Sequence, residues 1–189
     1  MGEHAEQRVA SEFADIARRY RAAIDAREGQ PVDDFLLGLH PLLCELIYRA
    51  SALPDLETEG EGELPKDRMT HLQWKRLYES LSAFLGKYNL YWQVFDPVEL
   101  CDDDPMYGTL ADDLADIYRD VGECLKTAFD PESPIPTIVI WSWRFQFFSH
   151  WGFHALGAAR TVHAQIGYHH LDDPELRDED GAGDEEVGA

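Results

Sequence analysis

Apolar side chains in this chain return every third or fourth residue over five separate stretches, the spacing that puts them on one side of an α-helix. Over 6–27 the stripe is Val9, Phe13, Ile16, Tyr20 and Ile24. Over 33–53 it is Phe35, Leu39, Leu42, Leu43, Leu46, Ala50 and Leu53; Pro41 lies inside and is expected to kink or divide the helix, having no N–H to donate. A third stripe, about 70–86, contains Trp74, Leu77, Tyr78, Leu81, Phe84 and Leu85, and Gly86 stops it. Its opening, Thr70-His71-Leu72-Gln73, allows hydroxyl and amide to satisfy free backbone N–H groups reciprocally. The fourth, about 109–129, buries Leu110, Leu114, Ile117, Tyr118, Val121 and Leu125, and Pro131, Pro134 and Pro136 follow it.

The fifth stretch, about 137–166, is apolar on two sides. Trp141, Phe145, Phe148, Gly152, Ala155, Ala159, His163 and Ile166 form one stripe; Trp143, Phe147 and His154 lie nearly opposite. Such a helix either runs through a bundle centre or offers a second face to a partner subunit or ligand. Residues 88–97 read as an extended aromatic connector lying against the bundle, since no second strand pattern accompanies them. The expected architecture is all-α: a single helical bundle of about five main helices over 1–167, followed by an acidic tail at 168–189.

Hydrophobic residues make up 44% of the chain and aromatic ones 12%, enough for a packed core, so wholesale disorder is excluded. Sixteen basic against 37 acidic residues give a net charge of −21. A polyanion is repelled by nucleic-acid backbones and anionic membrane surfaces, which argues against both as partners. The charge concentrates at 55–63, with five acids and no base, and at 172–189, with nine acids against Arg177. These blocks solvate the chain or attract a basic protein partner. Cys44, Cys101 and Cys124 form no CxxC pair, and Cys44 and Cys124 read as small buried residues. The first residues carry no basic region and apolar run of the signal-peptide kind. The most apolar stretch, 137–159, is interrupted by Arg144, Gln146, His150 and His154, so a membrane span is not expected. A cytoplasmic protein is the resulting expectation.

Four blocks occur in order: the helix ending Leu53-Pro54; Tyr91-Trp92-Gln93-Val94-Phe95-Asp96-Pro97; Asp112-Asp113-Leu114-Ala115-Asp116-Ile117-Tyr118-Arg119-Asp120; and His150-Trp151-Gly152 through Ala158-Ala159-Arg160 to His163. In these the chain resembles the bacterial domain of unknown function 5063 family, from about Phe35 to His163. The resemblance implies a small helical domain and no catalytic residue.

Two constellations could carry chemistry. Asp113, Asp116 and Asp120, spaced three and four apart, share one side of the fourth helix, with Asp112 and Glu123 extending it. A divalent cation would relieve their repulsion. The DDxxD arrangement also occurs in helical prenyl-processing enzymes, but no second acidic motif follows. The bland reading makes Thr109 and Asp112 a capping pair and the other acids a solvated face. His150 and His154, four apart, share a helix face and make half of a transition-metal site that Asp116 or Asp120 could complete. Residue 151 is Trp, so the His-Glu-xx-His protease pattern is absent. The bland reading has polar residues interrupting an aromatic face, with His163 in the core. Tyr118, Trp143, Phe147 and Trp151 are a candidate partner or ligand face, with core or subunit interface the favoured use of such aromatics. No G-x-S-x-G elbow and no Gly-rich phosphate loop is present.

Three function classes follow. The first is a non-catalytic protein-interaction module with no cofactor, binding a protein partner of basic character or a second copy through the fifth helix. The second is a metal-dependent hydrolase using the acidic fourth helix. The third is a carrier of a small apolar ligand between the fourth and fifth helices. The interaction module leads on charge alone.

Overall fold

A computed structural model describes residues 2–58, 69–94, 106–128 and 133–170. Helix α1 (Glu3–Asp25) buries Phe13, Ile16, Tyr20 and Ile24 and leaves Val9 half-buried. Helix α2 (Val32–Ser51) runs through Pro41 as one element. Pro41 is exposed, so water can reach the carbonyl its missing N–H leaves free. Helix α3 (His71–Leu85) begins with the capping box expected at Thr70 and Gln73, and a 3₁₀ turn, Gly86–Tyr88, follows it.

The connector departs from expectation. Strand β1 (Leu90–Gln93) pairs antiparallel with β2 (Met106–Thr109), bringing Tyr91 opposite Gly108 and Trp92 opposite Tyr107. Four residues, one of them glycine, carried too little pattern to announce the second strand. The fourth helical stretch is also divided, into α4 (Leu110–Gly122) and a short α5 (Leu125–Ala128).

The last stretch is one long helix with a defect. Helix α6 (Thr137–Gln146) enters a π turn, Phe147–Trp151, and continues as α7 (Gly152–His170). The Gly152 N–H bonds to the Phe147 carbonyl, five residues back. A Cβ on Gly152 would stand 2.2 Å from that carbonyl oxygen, so only glycine fits the turn. The turn also resets the buried face. In unbroken α-helix, residues 143 and 155 would differ by about 120° around the axis; absorbing one residue in the bulge leaves about 20°. Trp143, Phe147, Trp151 and Ala155 are consequently all buried.

That geometry corrects the face assignment. The core side is Trp143, Phe147 and Trp151, while Phe145, Phe148, Phe153 and Leu156 are more than half exposed. Tyr118, Trp143, Phe147 and Trp151 therefore do not make an open partner or ligand face: Tyr118 is 8% exposed, Phe147 7% and both tryptophans 0%. Phe13 fills the space before them, its ring 5.0 Å from Trp143 and 6.1 Å from Trp151. The space assigned to an apolar ligand is thus occupied by the core itself. Each such side chain contributes roughly 1.5–3 kcal/mol on burial.

Around this core α2 packs on α1 and α7, and α4 lies between α3 and α7. Two smaller expectations also change: Cys44 is exposed, whereas Cys124 is buried as expected. His163 is exposed, its Nδ1 3.3 Å from His40 Nε2. Cys101, most of the acidic loop and the acidic tail from 171 lie outside the described residues. Among the described residues no helix is long and apolar enough to cross a membrane.

Candidate metal centre

Helix α4 is buried around most of its circumference, because α3 covers one side and α7 another. The expected Thr109 cap does not form; Thr109 makes no side-chain cap bond. Asn89 takes its place: its carbonyl accepts from Leu110 N at 2.8 Å and its Oδ1 from Ala111 N at 2.9 Å. The three- and four-residue spacing then turns Asp113, Asp116 and Asp120 toward the long helix. They are 5%, 8% and 3% exposed, so they are not a solvated face. Glu123 is buried beyond them, accepting from Gln146 Nε2 at 3.1 Å.

The π turn delivers His150 and His154 to these carboxylates. His150 Nδ1 lies 2.6 Å from Asp120 Oδ2, and His154 Nδ1 lies 2.8 Å from Asp113 Oδ1. His154 Nε2 reaches to 3.4 Å from Asp116 Oδ2. With its Nδ1 facing a carboxylate, each imidazole keeps Nε2 as the nitrogen for another partner. Asp116, His150 and His154 each offer a ligand atom, all within 4.8 Å of one another. Asp112, Asp113 and His154 make a second such group. The acidic helix and the histidine pair, separate in sequence, are therefore one cluster.

Two further residues complete it. Arg119 pairs with Asp116 through NH2 at 2.7 Å and with Asp120 through Nε at 2.9 Å. The Tyr91 hydroxyl donates to Asp113 Oδ2 at 2.5 Å. Arg119 was legible, lying three residues from one aspartate and next to another. Tyr91 was not, because the hairpin that carries it was not.

Charge is in excess on the acidic side: four aspartates of α4 meet one guanidinium and two imidazoles. Burial pushes the Asp113 and Asp116 carboxyls up, against the pull of His154 and Tyr91 on Asp113 and of Arg119 on Asp116. His154 is raised: burial works to lower it, but the Asp113 hydrogen bond and the charges of Asp113, Asp116 and Asp112 overcome that. Burial and the Asp113 charge hold the Tyr91 hydroxyl protonated. The donor set, two imidazole nitrogens and one carboxylate oxygen, suits a first-row transition ion better than Mg²⁺ or Ca²⁺.

The model of the domain of unknown function 5063 family (DUF5063) matches residues 4–169, so the match takes in α1 and extends beyond the four sequence blocks. No curated protein matches the chain. Among solved structures, protein BF1032 from Bacteroides fragilis is similar, with a TM-score of 0.66 at 22% identity, covering 80% of this chain and 88% of that one. At that identity the likeness establishes a shared helical fold.

Proposed function

The chain belongs to the DUF5063 family, and from that premise, which assigns no chemistry, we propose that it is a divalent-metal protein of hydrolytic type with Asp116, His150 and His154 as ligands. One observation carries the reading: each histidine has its Nδ1 against a buried carboxylate, Asp120 for His150 and Asp113 for His154. Metal-binding histidines are held this way, their second nitrogen donating to a carboxylate that fixes ring and tautomer. A structural ion pair with Asp113 does not call for His154 to present its remaining nitrogen to a further carboxylate, Asp116 Oδ2 at 3.4 Å. The excess of carboxylate over cationic groups supports the same reading.

Three protein ligands leave coordination positions open, the arrangement of catalytic rather than closed structural centres. When bound, such an ion supplies a water of lowered pKa and a Lewis acid. The chain's own groups divide the remaining work. Asp113 and Asp120 orient the two imidazoles, Arg119 ties Asp116 to Asp120 by pairing with both, and Tyr91 fixes Asp113 through the hairpin.

Titrating chelator-treated protein with Zn²⁺ and Mn²⁺ tests this. One saturable site is expected, weakened about 10–100-fold by Asp120→Asn and abolished by His150→Ala with His154→Ala. Absence of a saturable site, or affinity unchanged in the double variant, overturns it.

The exposed aromatic residues favour a second reading, the protein-interaction module. Trp92, Tyr107, Phe148 and Phe153 are each more than half exposed. This reading expects a protein complex that survives chelation and is lost in Phe148→Ser with Phe153→Ser. A complex indifferent to both substitutions contradicts it.

A further inference from the structure

Four helices converge on a cavity of about 220 Å³ that lies on a different flank of α4 from the Asp–His cluster, lined by Arg21, Gln73, Tyr118, Arg119, Gly122 and Lys126, with Met69 at its edge. Three of these residues are cations and, among those described, none is acidic, in a chain with 37 acids to 16 bases. That is the reverse of the chain's charge balance. A wider groove of about 780 Å³ continues from it, sharing Arg21 and Lys126 and adding Arg18 and Arg19, with Asp25 as its acid.

Arg21, Gln73 and Arg119 are each held by contacts within the fold, and Lys126 is exposed. The Arg21 guanidinium lies over the Tyr118 ring at 4.1 Å, and its Nε is buried without a hydrogen-bond partner. It approaches Gly122 so closely that a Cβ there would meet Arg21 NH1 at 2.6 Å. Gln73 uses its Oε1 on the α3 cap, accepting from Thr70 N and Oγ1, which leaves its amide N–H groups as donors. Arg119 uses two of its five N–H donors on Asp116 and Asp120 and still lines the cavity. A cavity rich in donors, whose Tyr118 hydroxyl donates away to Asp25 at 3.0 Å, suits a compact, multiply charged oxyanion.

We propose that this cavity is a phosphate-binding site, taking inorganic phosphate or the phosphate of a small phosphomonoester whose organic part lies in the adjoining groove. It goes beyond the metal reading: Arg119 joins the cavity to the Asp–His cluster, while Arg21 and Gln73 contact Tyr118 and the α3 cap instead.

Calorimetric titration at fixed ionic strength tests it, with inorganic phosphate and glycerol phosphate as separate probes. Saturable binding of one equivalent is expected, weakened more than about tenfold by Arg21→Gln and by Gly122→Ala, and unchanged by Lys75→Gln on the exposed face of α3. Tighter binding of the ester assigns the groove to its organic part; equal binding assigns the cavity to the free ion. If Arg21→Gln fails to fold, the exposed Lys126→Gln carries the same expectation. Equal displacement of phosphate by acetate, or wild-type affinity in the cavity variants, overturns the proposal. Metal content measured on the same Arg21→Gln protein is expected to match wild type, which separates this result from that of the metal titration.

Discussion

His154 Nδ1 lies 2.8 Å from Asp113 Oδ1 while its Nε2 lies 3.4 Å from Asp116 Oδ2, so one ring spans two carboxylates of α4. Asp120 and His150 repeat the first half of that relation, about one turn away on the long helix and two on α4. The pairs interlock because three- and four-residue spacing on α4 meets four-residue spacing on the long helix. Neither set is a site by itself; the crossing of the two helices makes one.

The metal-free protein is expected to lose stability as pH rises from about 6 to 8. The folded pKa of His154 lies above its unfolded value of 6.5, so its contribution is fully present below 6.5 and is lost as pH rises through the higher folded value. Asp113 and Asp116, also raised, act in the same direction from 3.8 upward. Melting temperatures in chelator at pH 6 and pH 8 check this: wild type falls more steeply than His154→Gln. Equal slopes contradict the pairing of His154. Metal affinity has the opposite trend, rising with pH as the competing proton leaves the ring nitrogen.

Gly152→Ala tests whether the π turn places the histidines. The added Cβ meets the Phe147 carbonyl, so the turn must open or the helix re-register, at a cost of about 1–3 kcal/mol. Reversal to plain α-helix rotates His150 and His154 relative to Trp143. Urea denaturation is expected to show the loss of stability, and metal titration a weakened site. Wild-type stability and metal affinity together would contradict the role given to the turn.

The corrected faces of the long helix can be separated by two substitutions. Trp143→Ala empties a fully buried site and removes the indole donor to the Glu123 carbonyl at 2.9 Å; it is expected to cost about 3–5 kcal/mol. Phe148→Ser, on the exposed side, is expected to stay within about 0.5 kcal/mol of wild type. Chemical denaturation of both proteins decides. Comparable losses would restore the stripe drawn from unbroken periodicity.

Helix caps give a set of three substitutions. Thr70→Ala and Asn89→Ala each remove cap bonds and are expected to cost about 1 kcal/mol. Thr109→Ala removes no cap bond and is expected to cost a few tenths. Thermal unfolding ranks the three, and a Thr109 effect equal to that of Asn89 would contradict the observed capping of α4.

Local patterns were the legible part of this fold. The stripes of α1, α2 and α3 and the Thr70–Gln73 box depend on neighbours within one helix, and all three helices form where periodicity placed them. What depended on distant partners was not legible. Strand β2 has meaning only beside β1, the cap of α4 comes from Asn89 twenty-one residues earlier than Leu110, and the π turn depends on a steric limit at Gly152. Periodicity alone carried the long helix past its bulge, and so grouped the exposed Phe145 and Phe148 with the buried Ala155 on one stripe. The carboxylates of α4 and the His150–His154 pair were both visible as weak motifs. Their burial was not, because acids at helical spacing look the same on a solvated face as on one covered by another helix.

Metal content of the protein, purified without chelator and measured by elemental analysis beside His150→Ala/His154→Ala, tests the central claim most directly. One divalent transition ion per chain is expected in wild type and none in the double variant, both proteins being folded by circular dichroism. Wild-type protein that holds no metal, and acquires none on dialysis against Zn²⁺, Mn²⁺ or Fe²⁺, would contradict it.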